Sequence, residues 1–198
     1  MTDKYANFCD LARHERAGID YRILARAALP GFIVVAPHGG GIERGTSELA
    51  DAVAAQDFGF YAFEGLKSKD NRDLHITSTR FDEPVCLSLI GRSQVVLTMH
   101  GEGQIDRPVV FVGGLHQLLR RRMATALRLR GFTVERHPDL QGLDPKNLCN
   151  RGHAGKGVQL ELSRPLRLQM FDSLSRQGRK QTRPKFRAFV AALRSVVT

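Results

Sequence analysis

Apolar positions along this chain follow two alternating rhythms. Short runs rich in branched and aromatic residues read as strands, at Tyr21–Arg26 and at residues 32–36, 58–63, 94–99, 109–112, 133–136 and 157–162. Between them, residues 46–56, 84–90, 116–130 and 185–197 carry apolar side chains at helical spacing. Thr46 or Ser47 offers a capping hydroxyl to the first of these helices, and Gly131 ends the third. The first two strands read as sheet neighbours, parted by a break at Leu29, Pro30 and Gly31. Strands that alternate with helices predict a three-layer α/β sandwich around a mixed, mostly parallel sheet, in one domain spanning residues 1–198.

Composition narrows the class. At 198 residues and 42% hydrophobic, the chain can bury a substantial core. Cys9, Cys86 and Cys149 are odd in number and widely spaced, which suits a reducing compartment and offers no disulfide framework or paired-cysteine zinc site. The first residues lack the basic region and apolar core of a signal peptide, and no apolar run approaches ~18 residues. The expectation is a soluble cytoplasmic protein without a membrane partner. Charge then adds a feature: the formal net charge is +10, and residues 164–187 hold eight basic side chains against one acidic, Asp172. A basic surface attracts polyanions. The same run also reads as a solvated face, and few aromatics interleave with it, so a base-stacking nucleic-acid surface is poorly supported.

Candidate chemistry gathers where the predicted strands end. The run at 32–36 leads into Pro37-His38-Gly-Gly-Gly-Ile-Glu43, a glycine-rich loop bearing an imidazole and a carboxylate that can fold onto one point. Borderline divalent metals such as zinc accept that nitrogen and oxygen pair, and a catalytic zinc takes three protein ligands with one position open. The strand at 94–99 ends at His100-Gly101, so a neighbouring strand could deliver a third ligand. His116, at a predicted helix start, is the rival, ranked below His100. His75 is a candidate for the substrate pocket.

A second informative stretch runs from Asn147 to Ser163. Arg151, among glycines, could hold a substrate carboxylate through two parallel hydrogen bonds. In the strand that follows, Gln159 and Glu161 share one face, while Val158, Leu160 and Leu162 share the other. A carboxylate on an apolar strand is costly without a partner or a task. Beside a metal-activated water, Glu161 would take the water proton as general base and return it to the leaving amine. Arg80 and Lys67 are weaker candidates for further substrate carboxylates.

The ordered set Pro37-His38-Gly-Gly-Gly-Ile-Glu43, His100, Asn150-Arg151-Gly and Gly157-Val-Gln-Leu-Glu161-Leu-Ser163 resembles the poly-γ-glutamate hydrolase family, known also as phage-related replication proteins. The resemblance runs from the strand before His38 to Ser163 and implies a core like that of the zinc carboxypeptidases. It implies one zinc ion held by His38, Glu43 and His100, Glu161 as base, and cleavage of γ-glutamyl amide bonds in a polyanionic glutamate polymer. The His38–Glu43 spacing is wider than in the peptidases, and the basic segment 164–187 matches no motif. Two alternatives stand beside this reading: an amidase for small N-acyl amino acids such as acyl-glutamates, and a nucleic-acid-binding protein using the basic segment.

Overall fold

The structure is a computed structural model that describes residues 3–27 and 31–197. Among the described residues, seven strands form one sheet in the order β1-β3-β2-β4-β7-β5-β6. These are β1 (Tyr21–Arg26), β2 (Phe32–Gly40), β3 (Gly59–Gly65), β4 (Val95–Glu102), β5 (Val110–Gly113), β6 (Val134–Glu135) and β7 (Val158–Ser163). The central strands β3, β2, β4 and β7 are mutually parallel, while β1 pairs antiparallel with β3 and β5 antiparallel with β7. The sheet is mixed and mostly parallel, as the alternation of elements predicts.

Alternation along the central strands splits the core into two layers, because successive side chains point to opposite faces. Val34 and Ala36 of β2, Leu97 and Met99 of β4 and Leu160 and Leu162 of β7 face one way. They pack against α2 (Thr46–Ala54), α4 (Gln117–Leu129) and α6 (Pro184–Val197) through Leu49, Met123 and Phe189. Ile33 and Val35 of β2, Phe63 of β3 and Val96 of β4 face the other way, onto α1 (Phe8–His14) and α3 (Pro84–Gly91) through Leu11, Cys86 and Ile90. Strands apolar on both faces are buried between helices, which gives three layers. A short helix α5 (Arg164–Leu168) follows β7, with the Ser163 hydroxyl accepting from the Leu166 amide at its start. No helix among the described residues is long and apolar enough to cross a membrane.

Three expectations need correction or fall outside. β1 and β2 are not neighbours: β3 lies between them, since β1 turns back antiparallel and finds its register on β3, from Tyr21 opposite Gly65 to Arg26 opposite Phe60. The N-cap of α2 is Gly45, in the left-handed region with φ 102°, and neither Thr46 nor Ser47 caps the helix. Of the proposed break between the first strands, Leu29 and Pro30 lie outside the described residues.

Candidate metal and catalytic centre

The centre is assembled at the carboxyl ends of the parallel strands, where sheets of this kind expose their loops. β2 does not stop at Ala36 but continues to Gly40, and its pairing with β3 shifts between Ala36 and Gly39. Ala36 sits opposite Ala62 and Gly39 opposite Glu64, so β2 spends one residue more than β3 across Pro37 and His38. Such a bulge re-aims a side chain next to a site. The chain then turns tightly, with the Glu43 amide donating to the His38 carbonyl at 2.8 Å. The hydroxyls expected to cap α2 fix this turn instead: Thr46 Oγ1 donates to the Glu43 carbonyl at 2.8 Å, and Ser47 Oγ accepts from the Gly40 amide at 3.1 Å.

The outcome is a close cluster of three buried groups. His38 Nδ1 lies 3.2 Å from Glu43 Oε1, His100 Nδ1 lies 3.2 Å from His38 Nδ1, and His100 Nδ1 lies 3.6 Å from Glu43 Oε2. The outer ring nitrogens are engaged elsewhere, His38 Nε2 with the Ile76 carbonyl at 2.8 Å and His100 Nε2 with Ser78 Oγ at 3.3 Å. A carbonyl only accepts, so His38 carries its proton on Nε2 and presents a bare Nδ1 when neutral. Backbone or hydroxyl partners on the far nitrogen are how liganding histidines are oriented. The Gly101 amide donates to Glu43 Oε2 at 2.9 Å, completing a convergence of lone pairs that suits a cation. Burial alone would raise the Glu43 carboxyl, yet the charge of a protonated His38, and the hydrogen bonds that protonated His100 and His38 make to it, hold it well below the ordinary range, and a cation bound at the same point would take the place of those protons. Burial lowers His100 despite the Glu43 carboxylate beside it, which favours the neutral ring a metal needs.

His75 enters the same cluster. Its ring lies 3.9 Å from that of His38, its Nδ1 pairs with Asp3 Oδ1 at 2.6 Å, and its Nε2 lies 3.9 Å from Glu43 Oε1. Burial and the charge of His38 lower His75 to about 3. One atom each from His38, Glu43 and His75 lie within 4.8 Å of one another, so His75 offers a liganding position of its own alongside His100. His116 does not join them. It is the N-cap of α4, where its Nδ1 accepts from the Leu119 amide at 3.4 Å, a task that follows from standing at a helix start.

Glu161 stands beside this cluster because β7 runs parallel to β4 with His100 directly opposite Glu161. Burial, reinforced by the Glu43 and Glu102 carboxylates, pushes its carboxyl well above the ordinary range. Gln159, two residues earlier on the same face, donates from Nε2 to Glu161 Oε1 at 3.0 Å and to the Leu140 carbonyl at 3.3 Å, while its Oε1 accepts from Asn147 Nδ2 at 2.9 Å. All of these groups line a cavity of about 1200 Å³.

Three predicted substrate contacts do not reach that cavity. The Arg151 guanidinium donates to the Phe81 carbonyl at 2.8 Å, the loop after it is tied to the amino end of β4 by the His153 amide donating to the Ser93 carbonyl at 2.8 Å, and Arg151 is not among the lining residues. Arg80 pairs with Asp3 Oδ2 at 2.5 Å and is likewise absent from the lining, and Lys67 pairs with Glu15 at 2.6 Å. The lining cations are instead Arg44, Lys69, Arg72, Arg164 and Arg167. Sequence reasoning singled out none of them for the site. Arg164 and Arg167 sit inside a basic run, where a pocket residue is indistinguishable from a solvated one.

The poly-gamma-glutamate hydrolase family model matches residues 5–192. The chain is 38% identical over 200 residues to the UPF0714 protein YmaC of Bacillus subtilis (strain 168), covering 98% of this chain and 84% of that protein. It is 36% identical over 184 residues to YndL of the same organism, covering 91% and 71%. Among solved structures, a bacteriophage poly-gamma-glutamate hydrolase superposes with a TM-score of 0.95 at 34% identity, over 98% of this chain and 96% of that one. Zinc-free apo YndL superposes with a TM-score of 0.92 at 33% identity, over 98% and 97%.

Proposed function

The chain belongs to the poly-gamma-glutamate hydrolase family, and from that premise we propose that it is a zinc-dependent enzyme cleaving γ-glutamyl amide bonds in poly-γ-glutamate. The observation that carries the zinc is the convergence of His38 Nδ1, His100 Nδ1 and the Glu43 carboxylate within 3.6 Å, with His38 Nε2, His100 Nε2 and Glu43 Oε2 each engaged by a neighbouring group. Zinc-free YndL, a relative by structure, is consistent with such a site. His38, Glu43 and His100 would hold one ion, with the His75 Nε2 facing the same space. A zinc ion held there would supply a Lewis acid for the scissile carbonyl and acidify water.

The chain's own groups account for the proton traffic. Glu161, lifted above the ordinary carboxylate range, accepts the proton of the attacking water and delivers it to the nitrogen as the C–N bond breaks. Gln159 fixes the carboxyl in place for both transfers. Products are a new γ-carboxylate and a free amine. The lining cations suit a substrate with one carboxylate per unit.

Metal analysis of the purified protein, followed by gel filtration of poly-γ-glutamate after incubation, tests this reading. Expected are about one zinc per chain and shortening of the polymer. Glu161→Gln should retain the metal and lower kcat by about 10²- to 10⁴-fold. Metal-free protein that still depolymerises would sink it, as would loaded protein that cleaves short acyl-glutamates but leaves polymer length intact.

A further inference from the structure

We propose that Arg167, and not the exposed arginines around it, is the anchor that grips an α-carboxylate flanking the scissile amide; the proposal rests on the hydrolase reading above. Arg167 leaves α5 and turns back beneath the ends of the strands, where only 4% of it remains exposed. Its Nε donates to the Leu162 carbonyl at 3.1 Å, Nη1 to the Arg44 carbonyl at 2.7 Å and Nη2 to the Glu102 carbonyl at 2.9 Å. A guanidinium has five N–H groups in a rigid plane. Three are committed to carbonyls, which leaves one on each terminal nitrogen. In this proposal that pair is the fork that meets the two oxygens of a carboxylate.

Two features show that the fork is placed for a ligand. First, no carboxylate of the described residues forms a hydrogen bond or ion pair with Arg167: Glu43, Glu102 and Glu161 favour its charge from beyond bonding distance, and the two remaining N–H groups are spent on none of them. Second, the guanidinium lies against the metal cluster. A Cβ on Gly101 would meet Arg167 Cζ at 2.7 Å and Glu43 Cβ at 2.9 Å, so a glycine directly after His100 is what admits the group. Arg167 also lines the cavity. The fork therefore stands beside the atoms where a scissile amide must sit.

Arg44, Arg72 and Arg164 line the same cavity but lack this preorganisation. Arg44 and Arg164 are exposed, and the Arg72 side chain is 56% exposed with Glu43 Oε1 3.9 Å away. An exposed arginine loses rotamer freedom on gripping a ligand, while one already fixed by three carbonyls loses almost none. Those three suit the more distant carboxylates of a polymer, held by charge without fixed geometry.

The test is a binding cycle in zinc-loaded Glu161→Gln protein, which holds turnover down. A γ-linked glutamate tetramer is compared by calorimetry with the same tetramer bearing carboxamides in place of its α-carboxylates. The carboxylate form should bind more tightly, and Arg167→Lys, which keeps the charge but loses the fork, should shrink that preference by about 10- to 100-fold while leaving the carboxamide nearly unchanged. Arg164→Gln should shrink it by less than about threefold. Equal losses for both tetramers would make Arg167 structural, and a preference that survives Arg167→Lys or vanishes in Arg164→Gln would overturn the assignment. If Arg167→Lys does not fold, nitrogen-15 spectra of the arginine Nε–H groups serve with the arginine intact. The Arg167 signal should move on adding the carboxylate tetramer and stay still with the carboxamide, and a signal that ignores both ends the proposal. A tetramer that binds with the expected preference but is never cut by the chain carrying Glu161 would instead count against the hydrolase reading alone.

Discussion

At the scale of single residues, the cluster is governed by what stands behind each functional group. Gln159 is the clearest case, since its amide joins Glu161 to the Leu140 carbonyl and to Asn147. A donor to a carboxylate favours the charged form, so Gln159→Leu should raise the Glu161 carboxyl still further. A base must be deprotonated to act, and the acid limb of the kcat/KM profile should accordingly move to higher pH. A profile with an unmoved limb would show that Gln159 serves the loop and not the base. Asp3 is a second case, supporting His75 and Thr77 and pairing with Arg80. Burial alone would raise its carboxyl, but hydrogen bonds from Thr77 and His75 bring it down to about 2 from 3.8. A depressed folded value contributes stability above the unfolded value that is lost as pH falls through the folded one. The excess of Tm in the wild type over Asp3→Asn should thus be full above pH 3.8 and disappear as pH drops through about 2. A difference independent of pH across that window would contradict the ionic account. The candidates themselves were marked in the sequence: His38, Glu43 and His100 are liganding types that follow apolar runs, and Glu161 is a carboxylate within one. Asp3 carried no such mark, because its partners lie more than seventy residues away in sequence.

At the scale of elements, the site depends on how β2 ends. Apolar alternation located the strand but not its bulge, because an extra residue leaves the hydrophobic pattern of 32–36 untouched and declares itself only against the partner strand β3. Strand order was hidden for the same reason: β1 and β2 each read as strands, while the choice of partner is made by register. α1 was missed because only Leu11 of its seven residues is fully buried, too few for a periodic signal. Arg167 was visible as a charge and invisible as a buried one, since three carbonyl partners leave no trace in composition. Glycine gives a direct test of the β2 turn. Gly40 and Gly155 share nearly the same left-handed backbone, φ 62° and 63°, but a Cβ on Gly40 would meet the Gly65 carbonyl at 2.6 Å and Glu64 Cβ at 2.9 Å, while one on Gly155 meets nothing within 4 Å. Gly155→Ala should cost only the backbone strain, about 1 kcal/mol, and Gly40→Ala a further ~1–3 kcal/mol from overlap, with weakened zinc binding as the His38 turn shifts. Chemical denaturation and metal titration read both, and equal losses would refute the steric argument.

At the scale of the whole molecule, the question is what a net charge of +10 does. The basic run 164–187 looked like a continuous surface, and the fold breaks it up. Arg167 and Arg179 are buried, the latter on Glu48 at 2.6 Å; Arg183 pairs with Asp172; and Lys185 lies over the Phe132 ring at 5.1 Å. Arg164 instead joins Arg44, Lys69 and Arg72 around the cavity, which collects charge contributed by three separate stretches of chain. The same lining carries the carboxylates Glu43, Asp70, Glu102, Asp139, Asp144 and Glu161, so the field that draws in a polyanion is that of the whole +10 chain, and it weakens as salt screens it. On long poly-γ-glutamate, kcat/KM should fall about tenfold between roughly 50 and 500 mM salt while kcat at saturation holds steady. A γ-linked dimer, with few charges to steer, should respond much less. Duplex DNA should inhibit only at the low end of this range, because a dispersed basic run offers it no continuous track. Polymer cleavage with a salt-independent kcat/KM would mean that encounter is not driven by charge, and inhibition by DNA that persists at high salt would return the basic segment to consideration as a nucleic-acid surface.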